Sequence, residues 1–282
     1  MVATRRRRLR RARDASPKQL HSWMRGALAR AGLVRRFDAN RGHGLFAARD
    51  LPNGYRIALP RRFVLSASNV RRSAACRHLP RTLGDTQTIV AALADARFRN
   101  ARSPWRAYAA SLPSVAPDPQ NWPLTPALLH ALGPELCAAL AARAATVNAI
   151  AARLPGLTRA QVRWAHGMWL SRAFKPADAG EDVAAMARLS PELAEEIRKA
   201  SEGGFMPIVD VVNHDDDAVV QFDADERTVF FSNEAPLRRG DEAMGNYGED
   251  IPDSQLLMEY GFARPSTREA AVWAEFAPKQ SE

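Results

Sequence analysis

The sequence predicts an α+β fold, in which a mainly β domain of short strands is interrupted by an all-helical insertion. Residues 37–66 contain short apolar runs separated by Gly and Pro, as in short strands joined by tight turns. Residues 82–174 carry apolar side chains at helical spacing, and strand-like alternation returns at Phe205. Two β-rich halves on either side of a helical block favour one interrupted domain over three independent ones.

These changes of pattern divide the chain into five expected segments. The expected segments are an Arg-rich solvated tail (1–20), the first half of the β domain (21–81), the helical insertion (82–204), the second half of the β domain with the candidate active site (205–265) and a C-terminal tail (266–282).

The first half opens with a helix and continues as strands. The spacing of Trp23, Leu28 and Leu33 predicts a short amphipathic helix over residues 21–34. From Phe37 onward, glycines and prolines interrupt every apolar run, so we expect short strands and turns there.

Four helices are predicted in the insertion. They span residues 82–99, 104–113, 127–153 and 158–174. Thr158 and Gln161 form a capping box that begins the last of them. The Pro-rich stretch 113–126 is expected to be a surface loop, and residues 175–204 an acidic, solvated connection with one helix.

The second half returns to strands. An apolar strand is expected before Asn213, and alternation in residues 219–222 and 228–232 predicts a hairpin. A further strand, Ala243–Gly245, precedes Asn246.

The net charge of +9 is unevenly distributed along the chain. Residues 1–36 carry +11 and residues 37–112 carry +9, whereas residues 113–282 carry −11. An acidic remainder would steer a basic peptide toward it, and an ordinary solvated acidic surface is the alternative. The Arg-rich start is explained equally by a solvated tail, a nuclear-import run or an organelle-targeting segment.

Several classes of protein are excluded by composition. The two cysteines, Cys76 and Cys137, make neither a disulfide framework nor a zinc cluster, so a reducing compartment is expected. No apolar stretch approaches the ~20 residues that span a bilayer. No nucleic-acid-binding module accompanies the Arg-rich tail, so a nucleic-acid partner ranks last among the alternatives.

Four motifs carry the candidate functional residues, and each has an ordinary structural explanation when taken alone. The motifs are Arg41–Leu45, Ser171–Phe174, Asp210–His214, and Asn246–Gly248 with Leu256–Phe262 close behind. A Gly-x-Gly pair usually marks a turn, and this one lacks the third glycine of a dinucleotide-binding loop. An Asp or Asn after an apolar run often caps a strand, and an Arg at a helix C-terminus often meets the helix dipole. Asp215–Asp217 lacks the spacing of a calcium loop.

In combination and in this order, the motifs resemble the SET-domain methyltransferases, most closely the branch of the Rubisco large-subunit methyltransferase and the actin-histidine methyltransferase. The resemblance is colinear from about Trp23 to Ala263. It is carried by GHGLFAARDLPNG, SPWRAYAASLP, VRWAHGMWLSRAF, MPIVDVVNH, RRGDEAMGNYG and LLMEYGFA. This branch lacks the zinc-binding cysteine clusters of the histone-type enzymes, in agreement with the two cysteines here.

The resemblance implies S-adenosylmethionine-dependent methyl transfer to a side-chain nitrogen, with no metal. The residues implied to bind the cofactor are Gly42, His43, Gly44, Arg172, Asp210, Asn213, His214 and Phe262. Arg172 would meet the cofactor carboxylate, Tyr247 would position the nitrogen and the methyl group, and Tyr260 would line the same channel. In this fold the motifs cross in a pseudoknot, so residues about 200 positions apart share one pocket.

The expected partner is a non-histone protein that presents a lysine, and the expected protein is an intracellular monomer of the cytoplasm or nucleus. A histidine-directed enzyme on the same scaffold is one alternative. A catalytically silent SET-fold binding protein is another, because Gly245 stands where the family prefers a bulky apolar residue. The family's large C-terminal helical domain has no counterpart in the roughly twenty residues after Ala263, so substrate choice does not carry over.

Overall fold

The computed structural model describes residues 17–38, 41–174, 203–218, 220–224, 227–248 and 250–278. The first sixteen residues of the expected tail and the helix expected within 175–202 lie outside these ranges. The helices are α1 (Pro17–Ala31), α2 (Ala67–Arg72), α3 (Asp85–Phe98), α4 (Arg106–Ser111), α5 (Pro126–Ala151), α6 (Arg159–Arg172), α7 (Asp253–Gln255) and α8 (Arg268–Phe276). A π-helical turn, Leu256–Tyr260, follows α7 directly.

The described residues also form ten short strands. They are β1 (Leu33–Asp38), β2 (Gly42–Ala47), β3 (Arg56–Pro60), β4 (Leu65–Ser66), β5 (Ala173–Phe174), β6 (Gly204–Phe205), β7 (Asn213–His214), β8 (Val220–Ala224), β9 (Thr228–Asn233) and β10 (Glu242–Gly245). Together with the helices they confirm the predicted α+β class.

Each of the three sheets joins strands from both β-rich halves. The first sheet has the order β1-β2-β10-β7, the second β3-β9-β8 and the third β4-β6-β5. All pairings are antiparallel except β10 with β7, which is parallel. The predicted hairpin is present as β8 and β9. Strands distant in sequence therefore lie side by side, and the helical block extends between them.

The first helix differs from its prediction at both ends. It begins at Pro17, inside the segment expected to be a tail, and it ends at Ala31 instead of residue 34. Gly32 adopts a φ of +73°, which stops the helix, and Leu33 is already the first residue of β1. The apolar spacing alone did not separate the end of a helix from the start of a strand.

The helices of the insertion follow the predicted spacing with two exceptions. The long helix α5 is interrupted at Gly133, where φ is +80° and Pro134 follows, so it is not continuous. Phe98 belongs to the apolar spacing that predicts α3, but it is 41% exposed and packs edge-on against Trp164. The capping box of α6 is present as predicted, with Thr158 and Gln161 bonded reciprocally.

The middle of the Pro-rich stretch, residues 116–122, is buried or half-buried, so its prediction as a surface loop holds only toward its two exposed ends. The Asp118 carboxylate is fully buried and accepts hydrogen bonds from Asn121 Nδ2 at 2.8 Å and from the Gln120 amide at 3.2 Å. A Cβ at Gly167 of α6 would overlap Asp118, and a Cβ at Gly261 would overlap the carbonyl oxygen of Pro117. Residues 116–122 fill the gap between α6 and the segment that follows the π-turn, where the Asp118 carboxylate and Trp122 Nε1 have hydrogen-bond partners within the stretch.

Part of the segment expected to be a C-terminal tail is the helix α8. Val272 of α8 packs against Leu128 and Leu140 of α5 and against Leu257 and Met258 of the π-turn, in one buried cluster. This cluster supports the segment that carries Tyr260. Among the residues described, no helix is both long enough and apolar enough to cross a membrane.

Asp118→Asn is expected to change how stability depends on pH. Burial raises the pKa of the Asp118 carboxyl to about 6, against 3.8 for the unperturbed group. Because the folded chain holds this proton more tightly than the unfolded chain, the free energy of unfolding falls as the pH rises from about 4 to about 6. We expect the stability of the variant relative to wild type to rise by about 2 kcal/mol between about pH 4 and about pH 7.

Urea unfolding at the two pH values measures this difference. The exposed carboxylate Asp217 supplies the control, because Asp217→Asn should give the same difference from wild type at both values. A constant difference for Asp118→Asn would contradict the prediction.

Candidate active site

Strand β10 brings three motifs to one place. It pairs with β2 on one side, with Ala243 opposite Leu45, and with β7 on the other, with Met244 opposite Asn213. The Gly-x-Gly motif is therefore the start of a strand and not a turn, although Gly42 has a φ of +77°. Because β10 lies between them, residues from positions 44, 213 and 242 become neighbours.

Gly44 leaves room for a polar contact between the other two strands. Asn213 Nδ2 donates to Glu242 Oε1 at 2.7 Å. A Cβ at Gly44 would overlap Glu242 Oε1 and lie 3.1 Å from Asn213 Nδ2. Arg41 contributes a longer ion pair to Glu242, at 3.4 Å. The absence of a side chain at Gly44 is therefore what allows the backbone of β2 to approach these groups closely.

The chain reaches β7 through a tight turn instead of the expected apolar strand. Val209–Val211 is a single 3₁₀ turn, and Ile208 before it has a φ of +79°. The turn directs Asp210 into the interior, where its Oδ2 accepts a 2.5 Å hydrogen bond from the Tyr108 hydroxyl. The prediction of a strand there is wrong because regular pairing begins only where β7 meets β10, at Asn213.

Tyr247 is bound to the β7 segment by two hydrogen bonds. Its hydroxyl donates to the carbonyl oxygen of Val212 at 2.8 Å, and its backbone N–H donates to His214 Nδ1 at 3.2 Å. These two bonds hold the phenol over the end of β7. Because His214 Nδ1 accepts the hydrogen bond from the Tyr247 N–H, the ring proton is on Nε2.

Four rings form one aromatic cluster around this phenol. The ring of Tyr247 lies 4.5 Å from that of Tyr260, 5.1 Å from that of His214 and 6.4 Å from that of Phe262, between ring centres. Phe262 also lies 5.9 Å from His214 and 6.3 Å from Tyr260. Such offset and tilted contacts stabilise the cluster.

Both tyrosines of the cluster are neutral phenols at physiological pH. Although part of the Tyr247 residue is exposed, burial of its phenol raises the pKa above its ordinary value, and the charge of Arg172 opposes this only in part. Burial, and then Glu259, raises the pKa of Tyr260 to about 12. Neither group is therefore available as a phenolate base, and both can donate or accept hydrogen bonds.

An ion-pair network holds the outer edge of the cluster. His214 Nε2 lies 3.1 Å from Asp216 Oδ1, and Arg264 binds both oxygens of Asp216, at 2.7 and 2.8 Å. The hydrogen bonds from Arg264 lower the pKa of Asp216 to about 2. Arg264 also donates to the carbonyl oxygen of Ile251, so the network joins the chain after β7 to the chain after the π-turn.

Arg172 and Asp210 lie on the inner side of the same turn. Arg172 Nη1 donates to the backbone oxygen of Asp210 at 2.9 Å. A cavity of about 230 Å³ opens beside them, between α1, α4 and the 3₁₀ turn. Asp210 lies two residues before Val212, whose carbonyl oxygen accepts the hydrogen bond from Tyr247, so the turn connects this pair to the aromatic cluster.

The structure brings most of the residues singled out in the sequence together. Gly44, Asn213, His214, Tyr247, Tyr260 and Phe262 meet around β10, and Arg172 and Asp210 lie directly behind them. Gly42 is at the start of β2, and His43 packs edge-on against Phe37 of β1. The functional roles of these residues remain predictions. Within the described ranges, no group of His, Cys, Asp or Glu side chains has an arrangement that could hold a metal ion.

Sequence reasoning missed several residues of the site. Glu242, Tyr108 and the pair Asp216–Arg264 are joined to it only by contacts between distant parts of the chain. Tyr108 carried one usable signal, since a hydroxyl on the buried face of a helix needs a partner. The others look like ordinary surface charges in the sequence.

No family model matches the sequence, and no curated protein matches it. Solved structures do match. The SET domain of LSMT bound to lysine and AdoHcy has a TM-score of 0.66 at 17% identity, covering 88% of this chain and 57% of that one. Rubisco LSMT bound to AdoMet gives 0.65 at 20% identity, covering 88% and 56%. Rubisco LSMT bound to sinefungin and monomethyllysine gives 0.65 at 19% identity, with the same coverages.

The chain spans a little more than half the length of these structures. At such low sequence identity the likeness concerns the fold, and it extends over nearly all of this chain. The resemblance expected from the motifs is confirmed at that level: the chain has the SET-domain fold of the LSMT type.

Proposed function

We propose that this protein is an S-adenosylmethionine-dependent protein N-methyltransferase that acts on lysine side chains. The observation that carries the proposal is the position of Tyr247, whose phenol is fixed on the Val212 carbonyl beside Asn213 and His214. The similar structures contain AdoMet, AdoHcy, lysine or monomethyllysine, and these ligands support the same chemistry.

The residues present fit the cofactor in two respects. Gly44 leaves room beside the backbone of β2 for the hydrogen bond from Asn213 to Glu242, which fixes Asn213, one of the residues assigned to the cofactor. Buried polar atoms also lack a partner among the described residues, namely Arg172 Nε and Asp210 Oδ1. Native proteins rarely leave such atoms unpaired, so a polar ligand group is expected there.

We assign the cofactor's contacts accordingly. Gly42, His43 and Gly44 would line its path along β2, Asn213 and His214 would hold its nucleoside, and Phe262 would pack on the adenine. Arg172 would bind its carboxylate, with Asp210 behind. When bound, the cofactor supplies a methyl group already activated by a sulfonium. The protein then has chiefly to align a nitrogen with that methyl group.

Tyr247 is assigned to hold the substrate nitrogen. Its hydroxyl proton is used by the Val212 carbonyl, so the phenol oxygen keeps lone pairs to accept a hydrogen bond from an amine N–H. Tyr260, stacked on it, would form the second wall of the channel. A lysine amine is mostly protonated in water, with a pKa near 10.4, and a dry aromatic channel beside a cation favours its neutral, nucleophilic form.

A catalytically silent binding protein was the alternative raised by Gly245. A Cβ at Gly245 would lie 3.0 Å from Cγ1 of Val212, so the neighbouring valine already occupies the space that a larger residue would need. Glycine is thus compatible with close packing next to Tyr247, and this favours an active enzyme over a silent one.

Tyr247→Phe is expected to abolish most methyl transfer while leaving the fold intact. The variant keeps the ring packing and loses the group that holds the amine, so we expect a fall of about 100-fold or more in rate. The assay uses labelled AdoMet with a lysate from cells that lack this protein. Tyr55→Phe changes a buried tyrosine outside the site, so it is the matched control and should retain activity.

Two results would contradict this assignment. Equal transfer by Tyr247→Phe and wild type would remove Tyr247 from the chemistry. Absence of transfer by wild type, despite AdoHcy binding in calorimetry, would instead favour the silent binding protein.

Gly44→Ala is expected to block the cofactor. The added Cβ would overlap Glu242 and displace the Asn213 contact, so AdoHcy affinity measured by calorimetry should fall by about tenfold or more. Gly84→Ala is the control, because a Cβ there meets no atom within 4 Å and the glycine has an ordinary φ of −62°. Unchanged AdoHcy affinity in Gly44→Ala would place the cofactor elsewhere.

Mass spectrometry of the labelled product decides between lysine and histidine. We expect the added methyl group on a lysine side chain, because the tyrosine-lined channel favours a flexible, linear amine. Methylhistidine in the digested product would establish the histidine-directed alternative on the same scaffold.

A further inference from the structure

A second arginine shares the inner cavity with Arg172. Arg35 lies on β1, opposite Leu45 of β2, and its side chain lines the cavity of about 230 Å³ together with Arg172, Asp210 and Tyr108. In the sequence, Arg35 is simply one of the basic residues of positions 1–36. Its neighbour Arg36 is placed differently, since its guanidinium lies over the ring of Phe46.

Arg35 is poorly satisfied by the protein itself. Its Nη2 makes one long hydrogen bond, 3.4 Å, to the backbone oxygen of Ser111, and its buried Nε has no hydrogen-bond partner among the described residues. Arg172 Nε is unpaired in the same sense. Two guanidinium groups with free, buried N–H donors therefore line one cavity.

The positive charges that line the cavity favour the binding of an anion. Burial, and then the charge of Arg172, lowers the pKa of Arg35, so placing the two guanidinium groups here costs free energy. Asp210 is the acid that faces both, but one of its oxygens is already taken by the Tyr108 hydroxyl. His21 and Arg25 lie at the exposed mouth of the cavity and add no negative charge.

We propose that Arg35 and Arg172 together bind the carboxylate of an amino acid group, which is the amino acid end of S-adenosylmethionine. This rests on the proposed function. A planar carboxylate accepts two parallel hydrogen bonds from guanidinium donors, which a single charge such as Lys does not reproduce. The unpaired Oδ1 of Asp210, whose side chain is more than nine-tenths buried, offers an acceptor for the ammonium of the same amino acid. Arg35 is then a cofactor-positioning residue.

Calorimetry with two ligands tests this assignment. AdoHcy carries the amino acid end, whereas 5′-methylthioadenosine has the same thioether nucleoside without it. We expect Arg35→Gln to lower AdoHcy affinity at least tenfold and to leave methylthioadenosine affinity within threefold of wild type. The comparison of two ligands on one variant separates loss of the carboxylate contact from a general loss of folded protein.

A variant at the mouth of the cavity supplies the control. Arg25→Gln, at the exposed mouth of the same cavity, should leave both affinities unchanged. If wild type binds AdoHcy and Arg35→Gln binds it equally well, the role of Arg35 is wrong and the proposed function stands. If Arg35→Gln weakens both ligands equally, Arg35 is structural and the assignment is also wrong.

A third ligand tests the carboxylate site separately from the proposed function. Free L-methionine, which presents the amino acid end alone, should raise the thermal unfolding temperature of wild type but not of Arg35→Gln. If wild type binds neither nucleoside but responds to methionine through Arg35, the carboxylate site stands and the proposed function fails. If wild type responds to none of the three ligands, both fail.

Discussion

The parallel pairing of β10 with β7 is the constraint on which the candidate site depends. Strand β10 takes Asn213 and His214 as neighbours on one edge and the Gly-x-Gly strand on the other. A parallel pair cannot be closed by a short turn, so the intervening chain must make a long excursion. The excursion carries the hairpin β8–β9, and the return of the chain places Tyr247 directly after β10. Two very short pairings thus set the positions of the functional side chains.

The burial of polar side chains is the second main feature of the site. Tyr108, Asp210 and Tyr247 are held in surroundings that disfavour charge, and burial raises the pKa of each of them. The protein compensates with hydrogen bonds between distant segments, such as Tyr108 to Asp210 and Tyr247 to Val212. Such a site suits a reaction that needs alignment and a neutral nucleophile more than it needs acid–base catalysis. In such a site the unpaired, buried N–H donors of Arg35 and Arg172 are unusual.

Two parts of the chain that the sequence predicts as a surface loop and a C-terminal tail support the site. The buried middle of the Pro-rich stretch lies against Gly261, and α8 packs behind the π-turn that presents Tyr260. Prolines usually indicate an exposed loop, but here Asp118 and Trp122 form hydrogen bonds within the stretch, which offset the cost of burying them.

The sequence by itself determined the local features and their order. The capping box of α6, the hairpin β8–β9, the α+β class and the motifs that resemble SET-domain proteins were all readable, because each depends on residues close together in the chain. The sequence did not indicate the breaks in regular structure at Gly32, Gly133 and Ile208. The tertiary structure alone decided which polar groups meet: Glu242 with Asn213, Arg264 with Asp216, and Arg35 with Arg172. These contacts join residues from 29 to 137 positions apart, and only the packed fold brings such residues within reach of one another.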